Sequence, residues 1–218
     1  MNQIFSIDNR FIQLLNKIFC AAWLNILWFL CCIPVFTIGA STTALYYVSF
    51  KLVRNEEGNI TKQFFTAFRS NFKKATLIWL PLLGLGILFG IDGYVLYHIR
   101  LENVFWTLCG AVLICAGVVY LIVLLNVFPL FARFENTIPA TFKNALVMGL
   151  RYLFCSILMA VVYFVIYYVI INIFTPFVVF GQGLGALICS WLILPILERL
   201  ENNKDDVCLL YTSPSPRD

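Results

Sequence analysis

Long runs of apolar residues dominate the chain, and charged residues collect between these runs. An apolar run of about 18 residues or more is long enough to cross the hydrocarbon core of a bilayer as a helix. Five stretches meet this requirement, at residues 18–38, 76–97, 104–128, 152–174 and 176–197. The pattern therefore predicts an all-α, multi-pass transmembrane helical bundle with five spans.

The first apolar run breaks at Pro34 without meeting a charge, and it resumes over residues 40–50. If the first run crosses once, the amino terminus lies outside and carries Arg10 and Lys17, against the preference of basic residues for the inside. If residues 40–50 return across the membrane, the bundle has six spans and the amino terminus lies inside. Because a straight span needs roughly 20 residues, the single crossing is the favoured interpretation.

Basic residues collect in the loops on one side of the predicted bundle. Six of these basic residues follow the first break, three follow the third span, and two lie between the fifth span and residue 208. The opposite side carries only Arg100. Since short loops rich in Lys and Arg stay in the cytoplasm, we expect these basic loops and the carboxyl end to be cytoplasmic.

An eight-residue pattern occurs twice, as "PLFARFEN" at residues 129–136 and as "PILERLEN" at residues 195–202. Each copy ends a helical hairpin that follows an amphipathic lead-in, which predicts two similar units in the same orientation. Chance similarity is the alternative.

The predicted organisation is one membrane domain over residues 1–207, made of a lead-in (1–17), a broken first helix (18–53), hairpin unit 1 (59–128) and hairpin unit 2 (137–202).

The last eleven residues, "CLLYTSPSPRD", depart from the pattern of the preceding chain. They resemble the translation, in one frame, of a common sequencing adapter. We therefore expect residues 208–218 to be a non-native tail, with the native ending missing after about Val207. A short disordered tail is the alternative, which Pro214 and Pro216 would also allow.

Composition narrows the class of function. The chain is 61% hydrophobic and 12% charged, whereas about a quarter of a soluble domain is charged. Its net charge of +4 arises from basic residues beside apolar runs, which indicates contact with the lipid bilayer rather than with nucleic acid. The 8 cysteines form no CxxC pair, and the single histidine, His98, has no nearby ligand partner. We therefore expect no disulfide framework, metal or cofactor.

No sequence motif of an enzyme is present: HExxH, GxSxG, a Walker loop and paired intramembrane acids are all missing from the chain. We therefore expect no catalytic residues.

Asp92 is the acidic residue deepest in an apolar segment, and an intramembrane carboxylate is a candidate for a transport or proton site. Its neighbours Gly90 and Gly93 lie near the outer end of the span, where water could reach it. Asn25, Asn126 and Asn172 are predicted to form hydrogen bonds between helices.

Residues 59–75 form the clearest amphipathic segment. Phenylalanines recur at helical spacing, and the basic residues lie largely on other faces. Such a helix lies at the membrane surface, with its aromatic side chains in the acyl boundary. Docking on the cytosolic face of a partner is the alternative. The candidate contacts are Phe64, Phe68, Arg69, Phe72, Lys73 and Lys74.

Residues 25–80 closely resemble the YesL-like family of bacterial integral membrane proteins. The resemblance rests on N-x-x-W, P-x-x-T-I-G-A-S-T-x-A-L, E-E-G and F-x-x-N-F-K-x-A. Later hairpins agree in hydropathy, length and position rather than by motif. The candidate family residues are Asn25, Trp28, Pro34, Thr37, Gly39, Ala40, Ser41 and Thr42.

The resemblance implies a domain of unknown function whose genes often lie beside those of carbohydrate ABC importers and glycan-degrading enzymes. It therefore implies an accessory role in carbohydrate import at the bacterial plasma membrane, with importer permease subunits as partners. A small transporter or channel, with Asp92 on its path, is the rival hypothesis. A membrane sensor or assembly factor is a third.

Overall fold

A computed structural model describes residues 2–56, 58–98, 104–173, 175, 178–202 and 215–216. The described residues form seven α-helices, which are α1 (Asn2–Cys31), α2 (Ile38–Val53), α3 (Ile60–His98), α4 (Val104–Arg133), α5 (Ile138–Arg151), α6 (Leu153–Asn172) and α7 (Val178–Asn202). A short 3-10 turn, Val35–Thr37, precedes α2. Two-residue strands, β1 (Phe134–Glu135) and β2 (Ser215–Pro216), pair antiparallel. The predicted all-α architecture is confirmed.

Five of the described helices, α1, α3, α4, α6 and α7, are long and apolar enough to cross a membrane. Their apolar stretches coincide closely with the five predicted spans, and the chain is therefore a multi-pass membrane protein. The two remaining helices are shorter: α2 has 16 residues and α5 has 14. The turn between α3 and α4, with Arg100, lies outside the described residues.

Helices α1 and α2 form an antiparallel hairpin, whereas the five candidate spans include α1 and not α2, as in the favoured five-span interpretation. Trp28 near the end of α1 donates a hydrogen bond to Thr42 near the start of α2. At the opposite end, Lys17 of α1 lines a cavity together with Lys51 of α2 and Gln63 of α3. The beginning of α1 therefore lies at the same end of the bundle as the basic loops, which we call the basic end.

A length of 16 residues gives α2 a rise of about 24 Å, which is short for a lipid-exposed span. The surroundings of α2 remove this difficulty. It packs against α1, α3, α4 and α7, and 11 of its 16 residues are buried while none is exposed. A helix that is covered on all sides by protein does not have to match the thickness of the lipid.

Helix α3 joins two elements that the sequence pattern had separated. The amphipathic segment and the second predicted span run as one helix of 39 residues, about 58 Å long. No glycine or proline interrupts residues 59–80, and Pro81 lies inside the helix without ending it. Beyond about residue 84 most side chains of α3 are exposed, as they are in the first half of α4, which is the burial pattern expected for contact with lipid.

The short strand β2 falls within the segment that is predicted to be a non-native tail, and it pairs with β1 beside the end of α4. Most of that segment, residues 208–214 and 217–218, lies outside the described residues. The origin of the tail therefore stays a prediction.

Candidate functional site: the helix corner and the basic end

The family-like motif forms a helix corner between α1 and α2. Pro34 is exposed in the turn, and Thr37 is buried beneath it. The Thr37 hydroxyl lies within hydrogen-bonding distance of the carbonyl oxygens of Cys31 and Pro34, at 2.5 and 2.6 Å. Its single hydrogen can serve the carbonyl of Cys31, which the end of α1 leaves without an intrahelical donor, because the carbonyl of Pro34 already accepts from the backbone N–H of Thr37. From α3, Trp79 Nε1 donates to the carbonyl oxygen of Val35 at 2.9 Å.

Gly39 allows α2 and α3 to approach closely at this corner. A Cβ atom at Gly39 would lie 2.6 Å from the carbonyl oxygen of Ala75 and 2.6 Å from Cβ of Trp79. Neither atom belongs to the mobile end of a side chain, so a larger residue would force the two helices apart. The requirement for glycine here is one of space between backbones.

The small residues after Gly39 are buried among the surrounding helices. Ala40 and Ser41 have no exposed surface, and Thr42 accepts the hydrogen bond of Trp28 Nε1 at 3.1 Å. The Ser41 hydroxyl is buried without a hydrogen-bond partner among the described residues. These residues therefore pack the corner and join α1 to α2.

Asn25 holds α1 against the start of α7 with both ends of its amide. Its Nδ2 donates to the carbonyl oxygen of Val178, and its Oδ1 accepts from the backbone N–H of Gly183, each at 2.9 Å. A Cβ atom at Gly183 would lie 2.1 Å from the carbonyl oxygen of Ala21. The double hydrogen bond therefore depends on the close backbone contact, because the amide reaches both groups only when the helices touch.

Two ion pairs connect helices at the basic end. Arg54, just after α2, donates from Nε and Nη2 to Glu198 Oε1 of α7, at 3.1 and 2.8 Å. Arg133, the last residue of α4, donates from Nη2 to Glu201 Oε2 at 2.7 Å. The sequence pattern did not predict either pair, although both copies of the repeated pattern place charges at this end.

The aromatic face of α3 turns inward instead of facing lipid. Phe64 has no exposed surface, and Phe68 and Phe72 pack against the buried core. Phe64 therefore cannot form the predicted membrane-surface contact, whereas Phe68 and Phe72 are half-buried, and for them the contact stays a prediction. Phe64 and Phe68 stack with ring centroids 6.4 Å apart, and Phe68 meets Phe72 edge to face at 5.5 Å.

The basic side chains of the same helix remain outside. Arg69, Lys73 and Lys74 are exposed along α3, together with Lys62 near its start. We call these four residues the basic stripe. Among the described residues, none of the four has a carboxylate within ion-pair distance. The helix therefore presents free cations while its other face is held by the core.

The remaining candidates lie apart from this end of the bundle. Asp92 is exposed on the outer half of α3, and a Cβ atom at Gly90 or Gly93 would meet nothing within 4 Å. Asn126 joins α4 to α6 through Ser156 Oγ at 2.9 Å, as predicted for a bond between helices. Asn172 instead bonds within its own helix, to the carbonyl oxygen of Tyr168.

No group of three His, Cys, Asp or Glu residues in the described part of the chain is placed to hold a metal ion. The polar clusters that the structure does bring together are hydrogen-bonded corners and ion pairs. Their chemistry suits helix packing and contact with charged surfaces.

Comparison with known proteins gives one match. Residues 21–93, about a third of the chain, match the model of a family described as a protein of unknown function, DUF624. This range holds the helix corner, α2 and most of α3, and it includes the segment that resembles the YesL-like family. No curated protein and no solved structure matches the chain. The YesL-like name therefore has no named relative to support it.

Proposed function

We propose that the chain is a non-enzymatic accessory protein of the bacterial plasma membrane, which assists a carbohydrate ABC importer by docking on its permease subunits. The observation that carries this proposal is the basic stripe of α3. By the preference of basic loops for the inside, the stripe faces the cytoplasm. Carbohydrate as the cargo rests on the resemblance of residues 25–80 to the YesL-like family.

The stripe is suited to a partner because its helix is held firmly. Burial of Phe64 and the packing of Phe68 and Phe72 orient α3, so its cations keep constant positions relative to the bundle. Complementary charge at an interface favours the correct partner and speeds encounter. An acidic cytoplasmic surface of a permease subunit is the partner chemistry that this stripe fits.

Charge reversal on the stripe tests the docking face. We expect Lys73→Glu combined with Lys74→Glu to abolish copurification with the permease subunits in mild detergent and to lower sugar uptake. The matched control is Lys143→Glu on α5, the other amphipathic helix of the basic end, which should leave copurification unchanged. If deletion of the gene leaves uptake normal and no importer subunit copurifies with the unaltered protein, the proposal is wrong.

A small transporter or channel is the second candidate function. The observation in its favour is a cavity of about 410 Å³ between the α3–α4 and α6–α7 hairpins. Asp92 is not among the residues that line this cavity. Flux of sugars, ions and protons into reconstituted vesicles, compared between the unaltered protein and Asp92→Asn, tests this function. Absence of any flux would count against it.

A further inference from the structure

The cavity between the two hairpins has a distinct lining. Aromatic rings from five helices line it, including Trp28, Tyr46, Trp79, Tyr163 and Tyr167. Its volume of about 410 Å³ lies in the range of small-molecule sites, which is roughly 300–1,000 Å³. A space of this size, bounded by large rings, is a candidate binding site.

Polar groups reach the cavity in hydrogen-bonded pairs. The hydroxyls of Tyr46 and Tyr163 lie 2.8 Å apart, and the Tyr167 hydroxyl donates to Gln182 Oε1 at 2.9 Å. Among the described residues, the N–H groups of the Gln182 amide have no acceptor. The Thr42 hydroxyl accepts from Trp28 and donates to no described residue. The cavity therefore offers donors to oxygen atoms of a ligand.

The described residues that line the cavity include no charged side chain. A ligand with a phosphate, carboxylate or ammonium group would lose its hydration here without gaining an opposite charge, which is costly. The lining thus excludes ions and favours an uncharged molecule.

One wall of the cavity continues into the lipid-facing surface. Leu121, Leu124 and Leu125 of α4 line it, and Leu121 is 52% exposed on the outside of the bundle. Across from them, Tyr167 is 47% exposed. An apolar chain could therefore leave the cavity along α4 and lie in the bilayer, while a polar head remains beside Gln182 and Thr42.

We propose that this cavity binds an uncharged amphiphile from the membrane, with an oxygen-rich head at Gln182 and Thr42 and an apolar body along the leucines of α4. Two sources share this chemistry: diacylglycerol, whose head is one hydroxyl, and a glycosylated diacylglycerol, whose head is a sugar. The inference is independent of the docking face on α3, because no residue of the basic stripe lines the cavity.

Thermal unfolding of the full chain, purified in a zwitterionic detergent, tests the proposal. A ligand that binds only the folded state raises the melting temperature with its concentration. The probes are dioleoylglycerol, glucosyl diacylglycerol, phosphatidylglycerol and free glucose. We expect one or both uncharged lipids to raise the melting temperature, and the stronger of the two identifies the head group. Phosphatidylglycerol and free glucose should have little effect.

Two variants and their matched controls locate the binding site. Gln182→Leu removes the free amide donors and should weaken the lipid about tenfold, the effect of one hydrogen bond. Tyr167→Phe removes the hydroxyl that holds this amide in place and should weaken the lipid by a smaller factor. Gln13→Leu and Tyr168→Phe make the same chemical changes outside the cavity and should leave affinity unchanged. Each variant is compared with its own ligand-free melting temperature, so a change in stability is not mistaken for a change in binding.

Three results would overturn the proposal. The first is that neither uncharged lipid raises the melting temperature. The second is that phosphatidylglycerol or free glucose raises it as much as they do. The third is that the Gln182→Leu and Tyr167→Phe proteins bind as tightly as their controls.

Discussion

Arg133 and Glu201 form an ion pair between the two copies of the repeated pattern, with Nη2 and Oε2 2.7 Å apart. The arginine comes from the first copy, at the end of α4, and the glutamate from the second, at the end of α7. In the second copy Arg199 and Glu201 are two residues apart on α7 and do not face each other. In the first copy Glu135 lies in β1, past the end of α4. The repeated residues therefore meet between hairpins, where their charges hold the ends of two helices together.

This pairing predicts a coupling between Arg133 and Glu201. The Arg133 side chain is only 13% exposed, so removing Glu201 leaves a largely buried cation without its partner. We expect Glu201→Gln to destabilise the protein by about 1–3 kcal/mol, measured by unfolding in detergent. In a double-mutant cycle with Arg133→Gln, the two losses should be less than additive. The control is Arg199→Gln, which changes the exposed arginine of the second copy and should have an effect within about 0.5 kcal/mol.

Close contacts between helices predict opposite effects for two glycine substitutions. Gly183→Ala would place a methyl group against the backbone of Ala21, so we expect a loss of about 1–3 kcal/mol. Gly90→Ala enters open space in a helix, where alanine is favoured over glycine by roughly 0.5–1 kcal/mol. Thermal unfolding should therefore show a lower midpoint for the first variant and an equal or higher one for the second. Equal midpoints for both variants would contradict the close approach of α1 and α7.

The double hydrogen bond of Asn25 predicts a larger effect than that of other asparagines. Asn25→Leu leaves the carbonyl of Val178 and the N–H of Gly183 without their side-chain partner, at a cost of about 1–3 kcal/mol. Asn172→Leu removes an exposed bond within one helix and should change stability by less than about 0.5 kcal/mol. Unfolding midpoints of the two variants, measured in the same detergent, provide the comparison. A similar midpoint for both would mean that Asn25 does not hold the helices together.

The hairpin of α1 and α2 predicts the sidedness of the amino-terminal part. In a protein without native cysteines, cysteines introduced at Gln13 and Gly58 should react with a membrane-impermeant maleimide from the same side of sealed vesicles. Val104→Cys, at the start of α4 and 79% exposed, should react from the opposite side. If Gln13→Cys instead reacted from the same side as Val104→Cys, the amino-terminal part would lie on the outside, as the single crossing requires.

Much of the fold follows from local sequence. Apolar runs of sufficient length predict membrane helices whatever their neighbours are, because each such helix satisfies its own backbone hydrogen bonds. The break at Pro34 and the need for a small residue at Gly39 are also visible in the sequence, since both concern the backbone itself.

Tertiary structure alone decided where the faces of these helices point. The phenylalanines of α3 have the same spacing whether they face lipid or protein, and Phe64 is buried in a core that α3 shares with α2. The return of α2 depends in turn on four helices that cover a segment too short to cross lipid alone. Apolar periodicity shows that one face of a helix avoids water, but lipid and a protein core both exclude water. The choice between them, the pairing of Arg133 with Glu201 and the cavity at Gln182 therefore required contacts between residues far apart in the chain.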